Sequence, residues 1–379
     1  MQTEICARLG IEFPIFAFSH CRDVVAAVSK AGGFGVLGAV AFSPEQLETE
    51  LDWIDAHVGD RAYGVDIIVP AKYVGIEEGG LTRQQVGELI PDEHRLSVED
   101  LLARYGVEAL PEGDGRNGGA DELMGFSHQS GRALLDVVWA HDRVRLVANA
   151  LGPAPDYLVT EAHERGILVG GLVGTVAHAE RQQVAGVDVI IAQGSEAGGH
   201  TGEIGTMVLV PQVVDAVAPT PVLAAGGIAD GRQVAAALAL GAQGVWCGSV
   251  WLTTEEAETH PVVKEKFLAA TSADTLRSRA KTGKPARQLR SSWTDEWADP
   301  GNPDPLAMPL QMILVGEAEA RIARSAGSSD GARRLINYFV GQAVGQMNES
   351  KSATQVVFDL VDGYVDAATR LAATVTDPT

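Results

Sequence analysis

Cysteine is scarce in this 379-residue sequence, which contains only Cys6, Cys21 and Cys247. The three are widely spaced and form no CxxC pair, so the sequence predicts reduced thiols rather than a disulfide framework or a zinc site. We therefore expect a cytoplasmic protein without a metal site.

Positive charge is also in short supply. The 29 lysines and arginines are outnumbered by 50 acidic residues, and the formal net charge is −21. Phosphate backbones and anionic membrane surfaces attract basic proteins and repel acidic ones. We expect neither a nucleic-acid partner nor a membrane partner.

Long uninterrupted apolar runs are missing as well. The longest apolar stretch, 234–252, contains Gln243 and three glycines, which indicates a helix, a turn and a strand rather than a membrane span. The first ten residues, MQTEICARLG, lack a basic segment followed by an apolar run, so we expect no secretory signal. The hydrophobic fraction of 46% is that of an ordinary globular protein.

What the sequence does contain is a regular alternation of short apolar segments with helical ones up to residue 252. Strands are predicted at 13–18, 34–40, 63–69, 145–150, 167–172, 187–192, 221–225 and 243–247. Helices are predicted at 24–31, from Ser43 onward, and at 155–165, 176–185, 206–217 and 231–240. This α/β pattern closes most simply into a (β/α)8, or TIM, barrel, and an open doubly wound sheet is the alternative.

Two regions depart from the alternation. Residues 70–131 are polar, acidic and glycine-rich, with helical pieces near 83–90 and 98–105, and a connection that long is usually a lid or an insertion. After residue 252 the pattern becomes helical, with a proline-rich interval. The predicted organisation is a barrel over 1–252 with an insertion at about 70–131, a small helical domain over 253–328, and C-terminal helices over 329–379 that return to the barrel.

The stretch 187–202, VDVIIAQGSEAGGHTG, carries the most informative chemistry. Its apolar run is typical of a buried parallel strand, and the loop after such a strand is where α/β barrels place their reactive groups. Four glycines allow the backbone of this loop to approach a flat ligand closely. His200 is its only side chain that titrates near neutral pH, which makes it the candidate catalytic residue.

A second glycine-rich pattern ends the last two predicted strands, with Gly226 and Gly227 after the seventh and Gly248 and Ser249 after the eighth. In a barrel these ends are neighbours, and their N–H groups together with a helix N-terminus form an anion site. This stretch lacks GxGxxG followed by an acidic residue, and no GxxxxGK[ST] loop is present. A single phosphate with a planar ring that extends toward His200 fits flavin mononucleotide, FMN.

On these residues the sequence resembles the nitronate monooxygenase family, and it is similar to the FMN-dependent enoyl-acyl-carrier-protein reductases that share the fold. The matching segments are AAVSKAGGFGVLG at 26–38, AQGSEAGGHTG at 192–202, AAGGIADGR at 224–232, WCGSVWL at 246–252 and GKPAR at 283–287. The resemblance covers most of residues 11–70 and 144–252. Its motifs are specific for the family and not for the substrate.

The resemblance implies an FMN-dependent oxidoreductase with His200 as its catalytic residue. The residues expected to bind FMN are Asp66, Asn149, Gln193, Gly198, Gly199, Gly226, Gly227, Trp246, Cys247, Gly248 and Ser249. The implied reaction is oxidation of an alkyl nitronate with O2, in which a base or hydrogen-bond donor beside the flavin orients the bound anion. A homodimer is possible.

Three features leave the substrate open. Asp66 stands where the family usually has Asn, residues 16–20 differ from the family's Gln-Ala-Pro-Met or Gln-Gly-Gly-Met, and the insertion is longer than the family's core needs. The segment 202–217 is similar to the reductase branch, so the alternative is an NAD(P)H-dependent reductase of enoyl thioesters. A barrel that binds FMN or a phosphate ligand without turnover is a third hypothesis.

Four further residues have two interpretations each. His20 could reach the flavin or cap a helix at the surface, and Glu196 could fix the loop or be a surface carboxylate. Trp293 and Trp297 could shape the roof of the pocket or pack in a helical core. The sequence does not choose between these.

Overall fold

The computed structural model describes residues 1–69, 82–110 and 128–375. At its centre is a closed barrel of eight parallel strands, which confirms the predicted TIM barrel. The barrel strands are β1 (Ile15–Ser19), β2 (Phe34–Gly38), β3 (Tyr63–Ile68), β4 (Val144–Ala150), β5 (Leu168–Val173), β6 (Val189–Gln193), β8 (Val222–Ala225) and β9 (Gly244–Cys247). A two-residue strand, β7 (Gly199–His200), follows β6 and lies outside the barrel.

Helices separate the strands along the chain. They are α1 (Glu4–Leu9), α2 (Arg22–Lys30), α3 (Pro44–His57), α4 (Arg83–Glu88), α5 (Asp92–Arg104), α6 (His128–Val138), α7 (Asp156–Glu164), α8 (Val176–Val184), α9 (Thr206–Val217), α10 (Gly231–Ala239), α11 (Pro261–Ala269), α12 (Ser292–Glu296), α13 (Leu310–Ser325), α14 (Asp330–Leu335) and α15 (Ala353–Val375). The last helix, α15, packs against α10 and α2 and so takes the eighth position around the barrel.

The barrel has one apolar layer inside and another outside, because successive residues of a strand face opposite sides. In β1, Ile15 and Ala17 pack among the helices, whereas Phe16 lies inside the barrel. Ile5 and Leu9 of α1 belong to the inner layer. Since α1 precedes β1, it fills the barrel at the amino ends of the strands and leaves the carboxyl ends for a site.

A third apolar cluster lies apart from the barrel layers and draws on two separate parts of the chain. It combines Ile90, α5 and Val107 from the predicted insertion with α11 to α14 and the segment 336–347. Arg321 of α13 joins the two parts, since its guanidinium bonds to the carboxylate of Glu99 at 2.8 Å and to the carbonyl of Glu108 at 2.9 Å. We call this unit the roof. The insertion and the helical segment, which the sequence suggested as separate pieces, therefore share one core.

The predicted helical segment 253–328 also contains a β-hairpin, which corrects the expectation of an all-helical region. Strands β10 (Thr275–Ser278) and β11 (Ala286–Leu289) pair antiparallel, and β11 pairs with β7. Gln288 and Ala286 of β11 are fully buried. Strands this short carry too little periodicity to be recognised from sequence.

The two helical pieces predicted in the insertion are observed as α4 and α5, and α5 begins earlier than expected because Pro91 stands at its N-cap. Residues 70–81 and 111–127 of that insertion lie outside the described residues. Within the described ranges no helix is both long and apolar enough to cross a membrane.

Candidate active site

A cavity of about 740 Å³ lies at the carboxyl ends of the barrel strands, beneath residues 338–343 of the roof. Eleven of the twelve residues predicted for the site line it: Asp66, Gln193, Gly198, Gly199, His200, Gly226, Gly227, Trp246, Cys247, Gly248 and Ser249. Cavities of roughly 300–1,000 Å³ are the usual size for cofactors and small substrates. The structure thus brings together residues that are spread over nearly two hundred positions of the sequence.

The loop after β6 is held in place by the carboxylate of Glu196. Its two oxygens accept hydrogen bonds from the backbone N–H of Thr206 at 2.9 and 3.1 Å, and one also accepts from Thr206 Oγ1 at 3.0 Å. Glu196 therefore caps the first turn of α9. Arg287 Nε donates to the carbonyl of Ser195 at 2.9 Å and ties the same loop to β11. Of the two interpretations given for Glu196, these contacts support the one in which its side chain fixes the loop.

His200 lies in β7, half-buried at the edge of the cavity. Its Nδ1 is 3.2 Å from the carbonyl oxygen of Pro285. Because a carbonyl can only accept, Nδ1 carries the proton, and Nε2 keeps a lone pair in the neutral ring. Burial lowers the pKa of His200, and the hydrogen bond to Pro285 opposes this effect. The imidazole is accordingly neutral at pH 7 and can take up a proton at Nε2.

Asp66 is a buried carboxyl group at the end of β3, with 5% of its surface exposed. Its Oδ2 has no hydrogen-bond partner among the described residues. Desolvation raises the pKa of Asp66 to about 8. At neutral pH the side chain is mainly the uncharged acid, so it can donate a hydrogen bond to a group in the cavity.

The ends of β8 and β9 present backbone to the cavity. Gly226 and Gly227 have φ values of +103° and +74°, which side chains with a Cβ rarely adopt. No described residue accepts a hydrogen bond from the N–H of Gly227. A short 3₁₀ helix starts at Ser249 directly after β9, and no side chain caps it. The arrangement offers donors for a single anion.

The N-terminus of α10 is not available to complete the anion site at the ends of β8 and β9. The carboxylate of Asp230 accepts from the backbone N–H of Arg232 at 2.8 Å and so caps α10 itself. A capped N-terminus has already satisfied part of its donors with a negative group. The anion site therefore rests on strand-end backbone and the 3₁₀ turn after β9.

Comparison with known proteins agrees with this geometry. The family model described as nitronate monooxygenase matches residues 5–363. The chain belongs to the nitronate monooxygenase family. It is 61% identical over 372 residues, 98% of each chain, to a Mycobacterium tuberculosis protein named "Putative monooxygenase Rv1533". It is 29% identical over 353 residues, 88% of this chain and 90% of the relative, to a Staphylococcus aureus "Probable nitronate monooxygenase".

Two solved structures are similar over nearly the whole chain. Nitroalkane oxidase from Streptomyces ansochromogenes superposes with a TM-score of 0.77 at 27% identity, covering 95% of this chain and 98% of that one. FabK from Thermotoga maritima superposes with a TM-score of 0.73 at 28% identity, covering 99% and 100%. Family and neighbours together identify this nitronate monooxygenase family member as an oxidoreductase enzyme with a TIM-barrel fold.

Within this family member, Asn149 departs from the predicted site. It is fully buried and does not line the cavity. Its Oδ1 accepts from the backbone N–H of Val69 at 2.8 Å, and its Nδ2 donates to the carbonyl of Gly152 at 3.3 Å. Its amide is engaged by two loops, and Asn149 thereby joins the ends of β3 and β4.

Trp246 and Cys247 of β9 contribute in different ways. The ring of Trp246 lies inside the barrel, stacked with Phe16 and Phe18 at centroid distances of 6.2 Å. The thiol of Cys247 packs on the helix side, and burial raises its pKa to about 12. Cys247 is therefore a neutral core residue that borders the cavity with its backbone.

Residues 338–343, from the segment expected to return to the barrel, form part of the site wall. Gly341 N–H donates to Ser249 Oγ at 2.8 Å, and a Cβ on Gly198 would lie 2.9 Å from the nitrogen of Gly341. Gln342 N–H donates to the carbonyl of Glu196 at 2.8 Å. The signal for this contact is the glycine spacing of GQAVGQM at 341–347, which permits a close approach of two backbones.

His20, after β1, faces the cavity and does not cap a helix. Its Nδ1 is 2.8 Å from the carbonyl of Gly38, so this nitrogen carries the proton, as in His200. Burial lowers the pKa of His20, whereas the hydrogen bond to Gly38 raises it. Two neutral imidazoles thus line one cavity, each with Nδ1 held by a backbone carbonyl.

Proposed function

We propose that this enzyme is an FMN-dependent nitronate monooxygenase that oxidises alkyl nitronates with O2. The observation that carries the proposal is the placement of His200 in one cavity with the glycine-rich ends of β8 and β9. Family membership and the similarity to nitroalkane oxidase support the same reaction class. The identities of FMN as the cofactor, of a nitronate as the substrate and of O2 as the co-substrate require an experiment.

The residues fit a singly phosphorylated flavin. Gly227, Gly248 and Ser249 would hold its phosphate through backbone N–H groups, since these strand ends offer donors and no basic side chain is needed. Gln193 and Gly198 would border the ring. Asp66 would donate a hydrogen bond to a ring acceptor, which would satisfy a polar atom that has no partner among the described residues. When bound, FMN would supply the electron-transfer chemistry.

His200 would bind and orient the substrate through a proton held at Nε2. A nitronate is an anion, and an anion within a few ångströms favours the protonated form of an imidazole. Substrate binding is thus coupled to proton uptake at Nε2, after which the Nε2–H donates to a nitronate oxygen. The carbonyl of Pro285 keeps the ring oriented through Nδ1 in both states.

A second candidate function is NAD(P)H-dependent reduction of an enoyl thioester. The similarity to FabK over the whole chain favours it, as does the reductase-like segment 202–217. In that reaction a protonated His200 would donate a proton to the reduced substrate. The two candidates share the fold and the flavin site and differ in the electron donor.

The deciding experiment begins with the purified protein: its absorption spectrum is recorded, and the cofactor released by heat is identified as FMN or FAD. Oxygen uptake is then followed with propyl-2-nitronate, and flavin bleaching by NADH and NADPH is followed without oxygen. We expect released FMN, nitronate-dependent oxygen uptake and no bleaching within seconds by either nicotinamide. Rapid bleaching by NADPH with no nitronate turnover would transfer the assignment to the reductase. A colourless protein that takes up no FMN would remove both.

A further inference from the structure

A second cavity, of about 390 Å³, lies beside the candidate active site between the barrel and the roof. Its apolar wall comprises Trp251, Val263, Trp293, Ile322, Leu335 and Ile336, and we call it the side chamber. Most of these residues belong to the core cluster of the roof. Trp293, one of the two tryptophans with an open interpretation, is thus both a core residue and a wall of a cavity.

The side chamber adjoins the main cavity. Ser19, His20, Leu252 and Tyr338 line both spaces, so these four side chains are the wall between them. His20 has an exposed face despite its location inside the protein, and Tyr338 is 39% exposed. A ligand whose reacting group lies near His200 could extend past these side chains into the chamber.

The chamber does not offer a free positive charge. Lys281 is the only lysine or arginine among its described lining residues, and its Nζ is 2.7 Å from Glu319 Oε1. Both side chains are largely buried, and the ammonium also lies 5.9 Å from the ring centroid of Phe339. Since this pair is already neutral, a phosphate or carboxylate would enter without compensation.

One of the two indole N–H groups of the apolar wall is engaged within the protein. Trp251 Nε1 donates to the carbonyl of Cys247 at 2.7 Å, which leaves the indole surface as the part that a ligand would contact. His260 accepts from the backbone N–H of Val262 at 3.2 Å and caps α11. Trp293 Nε1 is buried and has no hydrogen-bond partner among the described residues, so the chamber offers one indole donor within a mainly apolar wall.

We propose that the side chamber binds an uncharged aliphatic or aryl chain of the substrate while the reacting group lies beside His200. The identity of the reacting group rests on the proposed function, whereas the selection for an apolar chain rests on the chamber itself. Nitronates with an extended apolar chain should accordingly be preferred over the smallest ones, such as propyl-2-nitronate, and over those with an anionic tail.

Binding tests the chamber without turnover. The probes are the neutral 1-nitroalkanes from nitroethane to 1-nitrooctane, added to the flavin-loaded enzyme while the fluorescence of Trp251 and Trp293 is followed. We expect affinity to rise about fourfold per methylene, as burial of one CH2 predicts, until the chamber is full. 8-Nitrooctanoate should bind at least about tenfold more weakly than 1-nitrooctane, because its carboxylate has no partner. An affinity independent of chain length, or equal binding of the carboxylate, would overturn the proposal.

A substitution that fills the chamber can be compared with a matched substitution outside it. Ala320 of α13 lines the chamber, so Ala320→Phe should weaken 1-nitrooctane binding about tenfold or more and leave nitroethane binding unchanged. Glu317→Phe places the same ring on the exposed side of the same helix and should change neither value. If Ala320→Phe does not fold, Ala323→Leu serves, since Ala323 lines the chamber too. Equal effects of the variants on short and long chains would contradict the proposal.

Turnover measurements distinguish the proposal for the chamber from the proposed reaction. With nitronates of increasing length, kcat/KM should rise with chain length in the wild type and flatten in Ala320→Phe. Chain-length-dependent binding with no turnover of any nitronate would support the chamber and remove the nitronate reaction. Turnover of nitronates with binding that ignores chain length would support the reaction and overturn the chamber.

Discussion

The barrel side and the roof side of the candidate site are built in different ways. On the barrel side, the ends of β8 and β9 present glycine backbone, and Gly226 and Gly227 after β8 have conformations that few other residues adopt. On the roof side, Tyr338, Phe339 and the wall of the side chamber present side chains. Backbone donors recognise a feature that all substrates of a family share, whereas side chains can change with the substrate.

His200 lies where the two sides meet. Its loop leaves barrel strand β6, but its ring is oriented by Pro285 and its backbone pairs with Ala286, both from the segment before and within β11. A histidine on a free glycine-rich loop would be mobile. Pairing with β11 removes that freedom, so the roof positions a residue that the barrel supplies.

The largest effect should come from His200 itself. His200→Asn should lower kcat/KM for a nitronate by about 10²–10³, because the variant cannot take up a proton where Nε2 stands. In the wild type, KM should also rise as pH increases above 7, since the neutral imidazole must gain a proton as the anion binds. The variant should lose this dependence.

His178→Asn is the control, since His178 lines the same cavity on α8 and the substitution is the same. It should keep most of the activity and the pH dependence of KM. Steady-state rates across pH 6–9 at saturating flavin decide the matter. Similar losses in both variants would assign the defect to the cavity in general.

The second prediction concerns the backbone side. Gly227→Val should weaken FMN affinity by about 10–100-fold, because a branched side chain is strained at φ +74° and its Cβ would lie 3.1 Å from Glu196 Cβ. Fluorescence titration of flavin-free protein with FMN measures the change. Gly59→Val has nearly the same φ, +71°, in an open turn remote from the cavity. It should cost similar folding stability and leave FMN affinity intact; if it weakens FMN binding equally, the effect is one of folding.

The barrel side was also the part that sequence could predict. Eight apolar segments with helices between them specify a barrel, and glycine pairs at strand ends are visible without coordinates. The roof could not be read in this way. Strand β7 has two residues, and its partner β11 is 86 positions away for the pair His200 and Ala286, so no local pattern reveals it. The shared core of α5 and α13 likewise depends on contacts such as Arg321 to Glu99 that span more than two hundred residues.

Asn149 illustrates a different limit. A polar residue at the carboxyl end of a barrel strand is a reasonable ligand, and the sequence carries no sign that its amide is consumed by Val69 and Gly152. Asp66 has the same kind of position, and its Oδ2 has no partner in the part of the chain that the structure describes. Which strand-end polar group is available depends on loop conformation, and this is set by tertiary structure.

The third prediction concerns Asp66, whose effect on the free energy of unfolding should be a few kcal/mol. Its pKa is about 8 in the folded protein and near 4 in an unfolded chain. Below pH 4 both states hold the proton, and stability falls as pH rises from 4 to 8 because only the unfolded chain releases it. Asp66→Asn removes this loss, so the stability gain of the flavin-free variant should be small at pH 5 and largest near pH 8.5. Urea denaturation at both values measures the gain.

Asp60→Asn is the matched control, because the Asp60 side chain is fully exposed. Its effect on the free energy of unfolding should be near zero at both pH values. A gain for Asp66→Asn that is equal at pH 5 and pH 8.5 would mean that the carboxyl is ionised in the folded protein.

The smallest effect tests whether the roof is one unit. Arg321→Met keeps the length of the side chain but removes its bonds to Glu99 and to the carbonyls of Val107 and Glu108. Because Glu99 is mostly exposed, the loss should come mainly from the two carbonyls and amount to about 1–3 kcal/mol. If α5 depends on α13 for its place, proteolysis should cut the chain near α5 sooner in the variant, while FMN affinity, set on the barrel side, stays unchanged. Glu317→Met, on the exposed side of the same helix, supplies the comparison, and equal protease sensitivity of the two variants would show that the insertion folds without the bridge.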